Sequence, residues 1–159
     1  RSLELNPNYA DAYFQLADAL RRSGKTDEAA EATRKFQALN SSTQDKKQRD
    51  SQARALYEEG IKQIEKDDLA GAYSTLKKAV ETLPQLDAGY YRLAQIDYLR
   101  NNQAIALENI RRAIQLNPFE AEYFFVLARC LERADAQAAV EAITKAIALN
   151  GRVGDFQNL

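Results

Sequence analysis

Histidine, methionine and tryptophan are absent from these 159 residues, and cysteine occurs once, as Cys130. Without an imidazole there is no histidine base for a serine or cysteine nucleophile, and zinc sites of the common Cys/His types cannot be assembled. A lone thiol closes no internal disulfide, so cysteine usage leaves the redox compartment open. Beside Leu131, Cys130 reads as a packing residue rather than a nucleophile. Three prolines and six glycines are too few for a disordered linker or a chain built on tight turns. Charge of one sign is also missing. Basic residues number 22 and acidic residues 23, for a net charge of −1, and a nucleic-acid binder normally carries a basic surplus. The cluster Lys46-Lys47-Gln48-Arg49 is flanked by Asp45 and Asp50 and reads as a solvated helix face. No apolar run approaches the roughly 18 residues that suggest a membrane span. No signal peptide and no glycine-rich phosphate loop are visible. Glu58-Glu59 and Asp67-Asp68 are carboxylate neighbours in sequence, but adjacent residues on a helix do not share a face. No catalytic, cofactor-binding or metal site is therefore expected. A chain that opens on Arg1 and has no methionine reads as part of a longer polypeptide.

What is present is a repeat. Leu5-Asn6 recurs at Leu39-Asn40, 34 residues on, and Thr82-Leu83, followed by Pro84, comes 43 residues later. Leu116-Asn117 follows after 34 and Leu149-Asn150 after 33. Between these marks, residues 10–39, 87–116 and 121–149 share an order: an aromatic, then Leu-Ala three residues later, then a short break, then spaced alanines. Residues 53–82 are a looser copy. Within each half the apolar residues fall at i, i+3, i+4 and i+7, a helical period and not the alternation of a strand. Each half predicts a helix of about 14 residues, about 21 Å long. Ser23-Gly24-Lys25, Asp67-Asp68, Asn101-Asn102 and Arg133-Ala134-Asp135 are the expected turns, with Gly24 suited to a left-handed helix end and Thr26 or Asp27 to cap the next helix.

The pattern resembles the tetratricopeptide repeat, whose signature spans 34 residues. Its tryptophan place is held by Tyr13, Leu56, Tyr90 and Phe124, and its Leu-Gly pair by Leu16-Ala17, Glu59-Gly60, Leu93-Ala94 and Leu127-Ala128. The small residue of the second helix is Ala29, Ala72, Ala106 and Ala139, and the closing proline is Pro7, Pro84 and Pro118. The resemblance implies an all-α fold, a right-handed superhelical solenoid of antiparallel helix pairs with about eight helices. A hairpin that cannot bury its apolar faces alone stacks on its neighbours. The expected layout is the end of a preceding repeat (1–7), repeats at 10–40, 53–84, 87–118 and 121–150, and a C-terminal tail (151–159). Residues 41–52 form an insertion, expected to extend the next helix backwards so that it runs from about Thr43 to Lys66. In the second repeat, Glu59 and Gln63 fall at places usually apolar. A one-residue slide would bury Tyr57, Gly60, Ile61 and Ile64, but the in-phase register is the one expected here.

The resemblance also implies a function: a protein-protein interaction scaffold that holds a peptide or helix of a partner in a concave groove. One residue after each tryptophan place points into that groove, which selects Phe14, Tyr57, Tyr91 and Phe125. Their neighbours on the same face are Asp18, Ile61, Gln95 and Arg129; a further turn along lie Arg21, Ile64, Tyr98 and Glu132, with Arg22, Glu65, Leu99 and Arg133 beside them, and Arg92 and Glu58 lie at the edge. The expected peptide site is therefore Phe14, Tyr57, Tyr91, Arg92, Gln95, Tyr98, Phe125 and Arg129, with Tyr91, Phe125, Arg92 and Arg129 its strongest part. Such an aromatic row offers the large contact area that carries binding energy. Repeats that grip acidic chaperone tails use a lysine, two asparagines, a lysine and an arginine. The matching places here are Phe14, Asp18, Glu58, Ala88 and Arg92, and only Arg92 fits. The partner expected is thus a protein or peptide other than such a tail, with no nucleic acid, membrane or cofactor involved. Two further readings stand beside this one: a homodimer formed through exposed array ends, and a docking array attached to a catalytic domain elsewhere in a longer chain.

Overall fold

The computed structural model describes residues 9–150. Every regular element there is helical: α1 (Ala10–Arg22), α2 (Thr26–Glu65), α3 (Leu69–Thr82), α4 (Asp87–Leu99), α5 (Gln103–Leu116), α6 (Ala121–Leu131) and α7 (Ala136–Asn150). The chain forms two compact units, Arg1–Arg49 and Asp50–Leu159, and α2 contributes to both.

The count of helices among the described residues is seven, not the expected eight, because α2 runs unbroken through the place where a repeat boundary was expected. Its cause is local. No glycine or proline occurs between Gly24 and Gly60. Thr43, expected to start a helix, instead lies in mid-helix with its hydroxyl donating to the Leu39 carbonyl at 2.9 Å, a back-bond that satisfies the side chain without a break. Asn40 to Arg49 are all exposed, so no neighbour imposes a bend on this polar stretch.

Three turns share one geometry. The backbone N–H of Lys25, Asp68 and Asn102 donates to the carbonyl five residues earlier, in Leu20, Gln63 and Asp97, at 3.0, 2.8 and 2.8 Å. The preceding residues, Gly24, Asp67 and Asn101, take φ of 77°, 60° and 58°, the left-handed conformation that ends a helix in this motif. The Asp68 carboxylate then caps α3, accepting from the Gly71 N–H at 2.9 Å. Thr26 and Asp27 do not play that part in α2. The turn before α7 is one residue longer, follows a shorter helix and lacks a left-handed residue. There the Ala134 and Asp135 N–H groups both donate to Leu131, and the Asp135 carboxylate accepts from Ala138 at 3.0 Å.

In the first unit, Ala12 and Ala17 on α1 and Ala29 and Ala32 on α2 are buried. The Phe14 and Phe36 rings lie 5.5 Å apart.

In the second unit, α4 packs on α3, α5 and α6, while α6 packs on α5 and α7. Helix α4 is buried nearly all round, as a helix apolar on several faces must be. Leu93 and Ile96 face Ala72, Leu76 and Val80 of α3. Tyr91 and Ala94 join Ala106, Ile110 and Ala113 of α5 and Tyr123, Val126 and Cys130 of α6. Ala72 and Ala106 are fully buried, as crossing points of small residues require, whereas Ala139 is only half-buried. In the α2 segment the residues of both registers are engaged: Leu56, Tyr57, Ile61, Gln63 and Ile64 are all half-buried. Gly60 is buried and Tyr57 and Ile64 pack against the α3–α4 core, leaving Glu59 in solvent. Burying Glu59 would remove a carboxylate from water with no partner to offset the cost.

Candidate functional site

Helices α4 and α6 and the α2–α3 turn region enclose a cleft of about 260 Å³. Ile64, Leu69, Ile96, Leu99 and Val126 supply its apolar lining, and Arg92, Gln95, Tyr98 and Arg129 its polar wall. Sequence periodicity explains the stripe. Arg92, Gln95, Ile96 and Leu99 sit at i, i+3, i+4 and i+7 on α4, one helical face. Val126 and Arg129 present the matching i, i+3 pair on α6. The volume lies near the lower end of the roughly 300–1,000 Å³ of small-molecule sites.

The polar wall is held in place by a chain of hydrogen bonds. Arg92 Nη1 donates to Gln95 Oε1 at 2.9 Å. Gln95 Nε2 donates to the Tyr91 hydroxyl at 2.9 Å, and that hydroxyl donates to Glu122 Oε2 at 3.2 Å. The Arg92 guanidinium also lies 5.1 Å from the Tyr91 ring centroid, and Arg129 lies 4.9 Å from that of Tyr98. Such contacts contribute about 0.5–1 kcal/mol when exposed and about 2 when desolvated. Arg92 Nε is buried and has no acceptor, and among the described residues Arg92 has no carboxylate within ion-pair distance. Burial, then the Glu122 carboxylate, pushes the Tyr91 phenol up to about 12, so the relay keeps its proton at neutral pH.

Four of the eight residues expected from the sequence are brought together in the cleft. Arg92, Gln95, Tyr98 and Arg129 line the cleft. Tyr91 does not present its ring to a groove. It is 5% exposed, stacked 5.0 Å from Tyr123, and acts as a buttress behind Arg92. Tyr57 packs on the α3–α4 core, Phe125 is half-buried outside the cleft lining, and Phe14 belongs to the first unit. Leu69, Val126 and Glu122 were not among the expected site residues. The i, i+3 pairing of Val126 with Arg129 was the available signal for one of them.

Behind the cleft wall, Asp97 is 1% exposed. Its Oδ2 accepts from Asn109 Nδ2 at 3.0 Å, while its Oδ1 has no partner. Burial holds its carboxyl above the usual carboxylate range, against the opposing pull of Asn102, Asn109 and Arg100. Cys130, fully buried, is pushed up to about 11 by desolvation and stays a thiol.

Residues 1–31 match the family profile of the tetratricopeptide repeat. That match covers the first 31 of the 159 residues. A curated relative, the tetratricopeptide repeat protein 36 homolog of Nematostella vectensis, is 32% identical over 59 residues, which is 37% of this chain and 33% of the relative. The match thus takes in only a third of that relative's length. Among solved structures, this chain resembles MamA, with a TM-score of 0.60 and 20% identity over 94% of this chain and 83% of the other. It also resembles YrrB, described as a TPR protein with an unusual peptide-binding site, with a TM-score of 0.59 and 17% identity over 95% and 74%. At these identities the likeness is one of fold. Among the described residues, no helix is long and apolar enough to cross a membrane.

Proposed function

We propose that this chain is a protein-protein interaction scaffold, and that the cleft between α4 and α6 docks a segment of a partner polypeptide. One observation carries the reading: an apolar cleft whose cationic wall is fixed in place by the Arg92–Gln95–Tyr91–Glu122 hydrogen-bond chain. A preformed wall lowers the ordering cost of binding, and Tyr and Arg are the residue types that most often carry interface energy. The fold shared with a peptide-binding repeat protein points the same way.

The contact residues in this reading are Arg92, Gln95, Tyr98, Leu99 and Arg129, with Tyr91 positioning them from behind. Leu99 is 66% exposed, so Leu99→Asp tests the cleft without opening the core. Peptides selected from a random dodecamer library on the wild-type chain should bind Leu99→Asp at least tenfold more weakly, at unchanged helical content. Selected peptides that bind both proteins equally would remove the cleft from consideration.

A further inference from the structure

We infer that α2 carries a built-in hinge at Asn40–Gln44, where the helix passes between a continuous state and one broken after Asn40. The first observation is a helix end at which the helix does not end. Leu39-Asn40, Thr82-Leu83 and Leu116-Asn117 hold the same place in successive repeats. At the latter two the helix stops. Helix α3 closes at Thr82 and α5 at Leu116, and the N–H of the next residue donates back to Ala79 and Ala113 at 2.9 Å. Leu83 and Asn117 leave the helical region, at φ of −130° and −140°. Pro84 and Pro118 follow them, and a proline removes a helical hydrogen bond and keeps the residue before it out of the helix. After Asn40 the place of the proline is held by Ser41, and α2 runs on. One residue thus separates a stop from a continuation.

The second observation is how little holds the continuation. Asn40 to Arg49 are all exposed, and none of the ion pairs among the described residues falls in this stretch. Asn, Ser and Thr are weaker helix formers than Ala, Lys or Gln, because their side chains compete for the backbone. The Thr43 hydroxyl already does so at the Leu39 carbonyl, a contact that bends helices. A break, by contrast, is provided for. Ser41 and Gln44 stand at the spacing of a capping box, in which each side chain accepts from the other residue's backbone N–H. The carbonyls freed before it meet water. The exposed stretch ends where the two compact units divide, between Arg49 and Asp50, so none of its side chains is lost from a core when it opens. A few residues suffice to absorb such a change, and a partner that favours one state shifts the balance toward it.

The test uses the full chain with spin labels on Gln37→Cys and Gln52→Cys, both exposed positions of α2. Cys130 is fully buried and stays unlabelled. A continuous helix separates the two positions by about 22 Å of rise. Pulsed dipolar spectroscopy should show that distance together with a second, shorter population. Combining Asn40→Ala, Ser41→Ala, Ser42→Ala and Thr43→Ala should remove the shorter population. Ser41→Pro should remove the longer one and leave the thermal unfolding of the chain unchanged, whereas Lys35→Pro, within the first unit, should lower it. A single distance in the otherwise unaltered chain would overturn the hinge. So would a Ser41→Pro chain that loses as much thermal stability as Lys35→Pro, because folding would then require α2 to be continuous.

Discussion

A Cβ placed on Gly60 of α2 would come within 2.7 Å of Leu76 Cγ and 2.8 Å of its Cδ2 on α3. Leu76 is fully buried, so it has no free space to retreat into. Gly60→Ala gains about 1 kcal/mol in helix propensity and loses about 1–3 kcal/mol to overpacking. Gly60→Val carries the larger clash without the full propensity gain and should lower stability by about 2 kcal/mol. Urea unfolding checks this, and Leu76→Ala in the Gly60→Val background should recover part of the loss, since the two residues share one crossing.

Ala106 and Ala139 occupy the same place in the repeat signature but different surroundings. Ala106 is fully buried between α4 and α6, and Ala139 is half-buried. Ala106→Leu should cost about 1–3 kcal/mol, and Ala139→Leu within about 0.5 kcal/mol of zero. Equal losses in thermal unfolding would contradict the burial difference.

Asp97 makes a prediction about pH. Its folded value lies above the ordinary 3.8, so the folded chain holds this proton more tightly than the unfolded chain. The sign follows: the contribution to stability is complete below 3.8 and is lost as pH rises through the folded value. Asp97→Asn keeps an acceptor for Asn109 and removes the charge. The stability of this variant relative to wild type should therefore rise between about pH 3 and pH 7. A difference that does not vary with pH would exclude a raised Asp97.

Tyr91 extends the same argument to alkaline solution. The ordinary value of 10.0 becomes about 12 in the fold, so the unfolded chain ionises first and stability falls as pH rises from 10 to 12. Tyr91→Phe should flatten that decline. It also removes the link between Gln95 and Glu122, so the same variant should weaken binding of a cleft-selected peptide while Arg92 remains in place. Titration of phenolate absorbance and peptide affinity measure the two effects separately.

Tyr123 and Asn117 both donate to Asp87 Oδ2, at 2.9 and 3.1 Å, tying the start of α4 to α6 and to the turn before it. Asp87→Ala leaves both donors without this acceptor and should cost about 1.5–3 kcal/mol. Tyr123→Phe removes one of the two bonds and should cost less. A reversed order in thermal unfolding would show that Asp87 is not the hub of this group.

Much of this molecule is written locally. The helical period of apolar residues, the small residues at Ala72 and Ala106, and the turns at Gly24, Asp67 and Asn101 were legible because each depends on neighbours within a few positions. Chain-wide repetition then made helix pairing the way to bury the apolar faces. Other features depend on residues far apart in the chain. Whether Tyr91 faced a groove or the core was settled by Tyr123 and Glu122, about 30 residues away. The unbroken run of α2 past Asn40 shows the opposite limit: where no tertiary neighbour touches the chain, helix-forming residues without a breaker simply continue. Residue types and periods determined the helices and their turns. Only the tertiary structure decided which side chains were left with unmet donors facing a cleft, because burial and hydrogen-bond satisfaction belong to the assembled surroundings of a group and not to its place in the chain.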